Sequence, residues 1–313
     1  MAHAQVFIIG AGLAGLACAD ALSAADIAFR VVDKGRGPGG RCSSRRSPVG
    51  RFDHGAPFFR TTSPAFAARV DSWRSAGLAA ELSLPDGQVH LGTPAMNSFL
   101  RHEAERLGAE FGVEIASPRP AAGGWQLLTT AGHPVGEADW VVFAAPAPQS
   151  SQLLPQGSLR DAAASAIYAP TWTLMAGFDR DVPMPADPVL SVPDGPIAQV
   201  IVQNRLPGRD PGGRLVAHAR HDWSEARLEL DRESVADELM DIARNSIADF
   251  PATAHLDAHR WRYARVVQPV GSSFGLDTRA RLATCGDWHL GPDCEHAWLS
   301  GRALGEELTR ALG

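Results

Sequence analysis

Gly10, Gly12 and Gly15 fall in the spacing G-x-G-x-x-G within Gly10-Ala11-Gly12-Leu13-Ala14-Gly15, a pattern whose chemistry is the grip of a diphosphate. The three glycines serve separate ends. Gly10 makes the turn, Gly12 lets the backbone approach a pyrophosphate, and Gly15 lets a helix pack closely on its strand. The helix that starts here offers free N–H groups and a partial positive charge to the anion. Asp33 stands 18 residues after Gly15, where an acidic side chain can bind the ribose hydroxyls of an adenosine. The same string recurs at Gly35-Arg36-Gly37-Pro38-Gly39-Gly40, but Arg41-Cys42-Ser43-Ser44-Arg45-Arg46 follows it with no apolar helical face. Context therefore selects the first match as a dinucleotide site.

Positioning these residues takes a strand, a tight turn and a helix. Val6-Phe7-Ile8-Ile9 is the apolar run of a strand, and an Ala-rich amphipathic segment continues to about Ala24. Residues 27–32 lead into Asp33 and close a βαβ unit of about 30 residues. Residues 34–55 turn to Gly, Arg and Ser, which predicts a loop laid against something polar. Ser63-Pro64, an N-cap followed by proline at the first helical position, predicts a helix to about Ala76. A second helix is expected over 95–107, and strands at 110–115, 125–130 and 139–144. Strands at 171–178, 197–203 and 214–221, broken by Pro/Gly loops at 181–196 and 206–213, predict one antiparallel sheet. A helix over 233–247, strands at 259–264 and 282–285, and a last helix over 295–312 complete the chain.

At 313 residues the chain accommodates two domains of about 150 residues. Hydrophobic residues at 45% and charged residues at 20% are ordinary for a globular protein, and no apolar stretch reaches bilayer length, so no membrane span is expected. The net charge of −6, with basic residues scattered, leaves no footprint for nucleic acid or an anionic membrane. Small-molecule chemistry is the default. The opening Met1-Ala2-His3-Ala4-Gln5 lacks the basic n-region of a signal peptide, and four cysteines follow no regular framework. Both features predict a cytoplasmic location.

In a simple NAD fold the acidic residue leads into another βα unit. Here Asp33 leads into Lys34-Gly35-Arg36-Gly37-Pro38-Gly39-Gly40-Arg41 and then Phe52-Asp53-His54-Gly55-Ala56. With Trp223-Ser224, Trp261-Arg262-Tyr263-Ala264 and Cys285-Gly286-Asp287-Trp288, these segments resemble the amine-oxidase-like flavoprotein superfamily, most closely its short renalase-like branch, over nearly the whole chain. The resemblance implies an FAD cofactor in contact with Gly10, Gly12, Leu13, Ala14, Gly15, Asp33, Lys34, Gly40, Arg41, Gly55, Ala56, Ile115, Gly286, Asp287, Ala297 and Trp298. Arg41 would bring its guanidinium fork to the pyrophosphate, and Asp287 would bind ribityl or phosphate groups beside Gly286. The start of the last helix would point its N–H groups at the flavin pyrimidine edge and favour the anionic reduced form. No Ser-Gly-Gly-Cys-Tyr segment is present for cysteinyl attachment, so the FAD is expected to be non-covalent.

The flavin carries the redox chemistry, and the protein places the donor carbon beside it. His54, Arg262, Tyr263 and Trp288 are the catalytic candidates on the reactive face, with Trp261 beside them. Aromatic faces can stack a flat substrate and Arg262 could hold an anionic one. Many amine oxidases of this superfamily use a substrate-domain lysine bridged by water to the flavin. Lys34 is the only lysine, and it directly follows the ribose-binding acid. The resemblance then implies oxidation of isomeric dihydronicotinamide dinucleotides, the 2- or 6-dihydro forms, to NAD(P)+, with O2 reduced to hydrogen peroxide; amine oxidation is the alternative.

Three further readings compete. Gly271-Ser272-Ser273-Phe274-Gly275 matches the G-x-S-x-G of a hydrolase, with Asp287 and His289 following in order, but Leu276-Asp277-Thr278-Arg279 does not begin an apolar helical face. Cys285, His289, Cys294 and His296 lie within twelve residues but lack the paired C-x-x-C form, so no metal is expected. A non-catalytic flavin-binding protein is the third. The expected fold is α/β: a discontinuous Rossmann-like FAD domain from residues 1–60, 92–150 and 266–313, and a mostly antiparallel sheet-plus-helix substrate domain from 61–91 and 151–265.

Overall fold

The computed structural model describes residues 3–183 and 187–313. Met1 and Ala2 of the opening segment, and residues 184–186 of the loop expected over 181–196, lie outside the described residues. Val6, Phe7 and Ile8 are fully buried because the strand His3–Ile9 runs through the middle of a parallel sheet, between Pro134–Phe143 and Phe29–Asp33. A strand covered on both faces reads as an unbroken apolar run. Glu110–Phe111 extends the sheet beyond Phe29–Asp33, and Leu282–Thr284 extends it beyond Pro134–Phe143. Gly124–Leu128 and Gly275–Asp277 add antiparallel pairings at the margins.

The helix Leu13–Ala24 starts at Gly12 and is buried on nearly every side, from Leu13 through Ala19 and at Leu22. It is therefore a core helix rather than the amphipathic one expected, since an apolar surface all round requires cover all round. The last helix, Cys294–Leu312, supplies that cover. At Gly301 a Cβ would lie 1.9 Å from the Ala14 carbonyl oxygen, so the two backbones meet where only a glycine fits.

The second sheet runs in the order Val189–Ser191, Ile197–Val202, Arg214–Ala219, Ile167–Phe178, Thr253–Gln268, all antiparallel. One face carries Leu174, Val200, Ala217 and Ala258 and packs on Val235, Leu239 and Met240 of the helix Arg232–Ser246. The strand Thr253–Gln268 is 16 residues long, well beyond the expected 259–264, because it pairs along almost the full length of Ile167–Phe178.

Several elements depart from expectation. The segment 34–55 is not all loop: Ser44–Ser47 pairs with Gly50–Asp53, and buried Phe52 stacks on His255 at 5.6 Å. One apolar residue among arginines is too little for alternation to show. The hairpin Ala79–Leu84 with Gly87–Gly92 was also unforeseen, although Pro85-Asp86-Gly87 is a turn signal with Gly87 at φ +118°. The helix Pro64–Ser75 begins as expected, with Ser63 Oγ accepting from the Phe66 amide at 3.3 Å. It belongs to a different neighbourhood from the substrate lobe assigned to it: Trp73 stacks on Phe99 at 4.5 Å and Phe66 packs on Trp298 at 5.4 Å.

One ion pair joins the hairpin to the second sheet's connections. Asp53 accepts from Arg209 Nε at 2.8 Å and Nη2 at 2.5 Å, and also from Ser44 and the Met96 amide. Both partners are almost wholly buried. Removing one partner of such a pair strands the other charge away from water, so Arg209→Ala is expected to cost about 3–5 kcal/mol of stability. Urea unfolding followed by tryptophan fluorescence checks this; a loss under about 1 kcal/mol, the value of a surface pair, would contradict it.

Candidate active site

The glycine motif does what its spacing predicts for the backbone. Gly10 holds φ +116°, and a Cβ on Gly15 would meet the Gly10 carbonyl oxygen at 1.9 Å. Gly12 is different. It has an ordinary extended conformation, and nothing lies within 4 Å of where its Cβ would be. Neither strain nor packing within the protein calls for glycine there, whereas a ligand backing onto Gly12 would. The open space belongs to a cavity of about 2530 Å³. Asp33 closes one end: its carboxylate accepts from the Ala11 amide at 2.8 Å and the Gly35 amide at 2.6 Å, which ties the glycine turn to the loop that follows. These features fit the diphosphate and adenosine of FAD.

Of the residues expected around FAD, Gly10, Gly12, Leu13, Ala14, Asp33, Lys34, Gly40, Arg41, Gly55, Ala56, Ile115, Gly286, Asp287 and Ala297 all line this cavity. Gly15 and Trp298 do not. Gly15 acts one layer behind, under Gly10, and Trp298 is core, packed on Phe66 with Arg302 over its ring at 5.2 Å. The Arg41 fork meets Asp287 through two 2.6 Å contacts. Burial opposes the charge on Arg41, but the Asp287 carboxylate outweighs it and holds the guanidinium above its usual pKa. Tyr168 donates to the same carboxylate at 3.4 Å, and burial together with that carboxylate pushes its phenol up.

The reactive-face candidates separate in the same way. His54, Arg262 and Tyr263 line the cavity. Trp288 is fully buried beneath it, stacked on His289 at 3.9 Å with its indole N–H on the Ala145 carbonyl, so it supports the floor and does not meet a substrate. Arg262 is engaged by Glu229 through contacts of 2.7 and 3.1 Å. The serine that meets His289 is Ser272, at 3.1 Å, and not Ser273 of the G-x-S-x-G string; the imidazole is itself buried and bonded to Thr284 at 3.0 Å.

Strand register assembles a group that local sequence patterns did not reveal. Gln199 pairs with His218, His218 with Thr173, and Thr173 with His259, so four polar residues form one row across the second sheet. Gln199 Nε2 donates to His218 Nδ1 at 2.8 Å, and Arg45 donates to His259 Nδ1 at 3.0 Å. His54 sits over the end of the row, its ring 4.8 Å from His259 and 5.1 Å from Trp261, whose indole N–H donates to the His54 carbonyl at 2.8 Å. His54 Nδ1 and Thr173 Oγ1 are buried without a protein partner among the described residues. The alternation of His259, Trp261 and Tyr263 at period two was the available signal, since such residues share a strand face.

Burial keeps these imidazoles neutral. His54 is pushed down to about 3 by burial, with His259 and Arg45 adding to it. His218 falls to about 4 through burial, against the pull of the His54 and Gly55 carbonyls, and His259 to about 4 through burial and Arg45. Buried His289 also falls to about 4.

Two expectations follow. The unfolded chain binds these protons near pH 6.5 and the folded chain only near 4, or near 3 at His54, so stability is fully present above about 6.5 and is lost as pH falls from there toward 3–4, by up to about 1.4 kcal/mol per pH unit per histidine. Urea midpoints measured across that window check it; a flat profile would contradict it. Gly12→Ser keeps a good helix N-cap while filling the open space. The apoprotein should keep its stability within about 0.5 kcal/mol, while FAD affinity falls at least about tenfold, as titration of the apoprotein with FAD would show.

The comparisons agree with this geometry. The profile of an NAD(P)-binding Rossmann-like domain matches residues 8–73, and that of flavin containing amine oxidoreductases matches residues 111–303. Among solved structures, a protein of Exiguobacterium sp. 255-15 named for protoporphyrinogen oxidase superposes with a TM-score of 0.78 at 13% identity, covering 99% of this chain and 100% of its own. Putrescine oxidase bound to putrescine gives 0.68 at 13%, covering 99% of each chain. Cyclohexylamine oxidase from Brevibacterium oxydans IH-35A gives 0.71 at 11%, again over 99% of each. These likenesses establish the shared α/β fold. The family match spans most of the chain, and with it the cavity's two halves acquire their meaning: the chain belongs to the flavin containing amine oxidoreductase family and is an FAD-dependent oxidoreductase.

Proposed function

We propose that this enzyme, in the cytoplasm, oxidises a small planar donor, an isomeric dihydronicotinamide dinucleotide of the 2- or 6-dihydro form, and passes the electrons to O2 to give hydrogen peroxide. FAD, when bound, supplies the two-electron acceptor. Gly12, Leu13 and Ala14 would face its diphosphate, Asp33 its adenosine ribose, and Gly286 with Ala297 the flavin end. The chain's own residues would bind the donor, orient it and exclude water.

The observation that carries the donor assignment is the character of the wall at the far end of the cavity. Trp261, Tyr263, His54 and His259 present flat rings, and Arg45 beside them is close enough to help keep both imidazoles unprotonated. Arg45 is itself paired with Asp257 at 2.8 Å, so the wall offers flat, uncharged faces: a planar ring gains from stacking on them, while a protonated amine finds no carboxylate among His54, His259, Trp261 and Tyr263. The neutral histidines can offer lone pairs or N–H groups to an uncharged polar substituent. Lys34 lines the cavity beside Asp33, at the adenosine end, so the lysine typical of amine oxidation has no counterpart at the donor wall.

The family's name and the amine oxidases among its structural likenesses keep amine oxidation as the second reading. Anaerobic stopped-flow absorbance separates the two. The 2- or 6-dihydro isomers should bleach the flavin rapidly, and simple amines or ordinary NADH slowly. Faster bleaching by an amine would reverse the assignment.

A further inference from the structure

Two cysteines meet in the wall of the cofactor cavity. Cys42 lies in the turn Gly40–Cys42, directly after Arg41, and Cys294 is the first residue of the last helix. Their sulfurs are 3.6 Å apart, both line the cavity, and both are free thiols. A disulfide needs the sulfurs at about 2.05 Å, so closure calls for an approach of about 1.5 Å between a glycine-bordered turn and a helix end. Cys18 and Cys285 are buried in the core and do not line the cavity.

We propose that Cys42 and Cys294 form a peroxide-sensitive dithiol, a modification site in the wall of the cofactor cleft. The site would take a small, uncharged hydroperoxide, of which hydrogen peroxide is the member that the oxidase reading generates in the same cavity. Cys42 attacks one peroxide oxygen, the O–O bond breaks, and Cys42 becomes a sulfenic acid as hydroxide leaves. Cys294 then attacks the sulfenic sulfur; the S–S bond forms, the S–O bond breaks, and the second oxygen leaves as water once the Cys294 proton is taken up. In sum, two thiols lose two electrons and two protons, and one peroxide becomes two waters.

The chemistry of the two sulfurs differs in the direction this order requires. The contact with Cys294, in which either sulfur can donate, lowers the Cys42 pKa; burial opposes this and the Arg41 guanidinium, next in the chain to Cys42, assists. Cys294 is raised by the same contact and by burial, which suits a resolving thiol that is deprotonated last. Burial alone pushes Cys18 up to about 12 and raises Cys285 well above its usual value, so neither competes as a thiolate. The bond would join residues 252 apart in sequence and tie the Arg41 turn to the start of the last helix. Thiol reductants of a reducing compartment would reopen it.

The dithiol rests on the oxidase reading only for the origin of the peroxide. The experiment therefore treats purified holoenzyme with reagent hydrogen peroxide, blocks remaining thiols with an alkylating agent, and maps peptides after denaturation. The expected result is a fall from four alkylated cysteines per chain to two, a peptide linking Cys42 to Cys294, a higher thermal midpoint, and full reversal by dithiothreitol. Cys294→Ser should stop at a Cys42 sulfenic acid that dimedone traps, and Cys42→Ser should protect both positions. Four thiols remaining in the wild-type protein, earlier loss of Cys18 or Cys285, or a link between two chains would each overturn the proposal. A disulfide formed by reagent peroxide but absent after aerobic turnover would count against oxygen as the acceptor and leave the dithiol standing.

Discussion

The contact between Arg41 and Asp287 sets the geometry of everything around it. Arg41 ends the glycine-rich loop that follows the second strand, and Asp287 opens the short helix Asp287–Leu290 just before the last helix. Tyr168, at the start of the strand Ile167–Phe178 of the second sheet, reaches the same carboxylate. Three segments distant in sequence thus meet at one pair of opposite charges. A fork-to-fork contact tolerates little change in angle or distance, so the separation of loop and helix in this part of the cavity wall is held by directed bonds. Burial makes such a pair expensive to form and more expensive to leave half-formed.

Around that pair the two sheets divide the labour. The parallel sheet is apolar on both faces and serves to present strand ends, where the Gly10 turn and Gly286 open onto the cavity. The antiparallel sheet is apolar toward its helix, but toward the cavity it carries the row from Gln199 to His259. A row of polar groups at the buried margin of a sheet must be satisfied or neutral, and here it is mostly both: donors from Gln199 and Arg45 fix the ring nitrogens, and the imidazoles carry no charge.

Local signals were legible in the sequence to the extent that they answered local demands. The Gly10–Gly15 turn, the acid at Asp33 and the Ser63-Pro64 helix start each follow from backbone rules spanning a few residues, and each lies where it was expected. Residues whose surroundings come from distant segments could not be placed that way. Trp288 and Trp298 share segments with cavity residues, yet their rings turn to the core, because strand and helix faces are decided by what packs behind them. Arg41 was identified as a residue of the cleft, but its partner is 246 residues away. The histidine row was hidden for the same reason: His218 and His259 become neighbours only through Thr173 on the strand between them.

The close backbone contact at Gly301 has a consequence for how the cleft tolerates substitution. A side chain there would fall on the Ala14 carbonyl oxygen, so the helix Cys294–Leu312 would have to lift away from Leu13–Ala24 and strip cover from a helix that is apolar on nearly every side. Leu13 and Ala14 of that same helix line the cofactor cavity, whereas Gly301 does not. The shape of the diphosphate end is therefore guarded from behind, by a residue out of a ligand's reach.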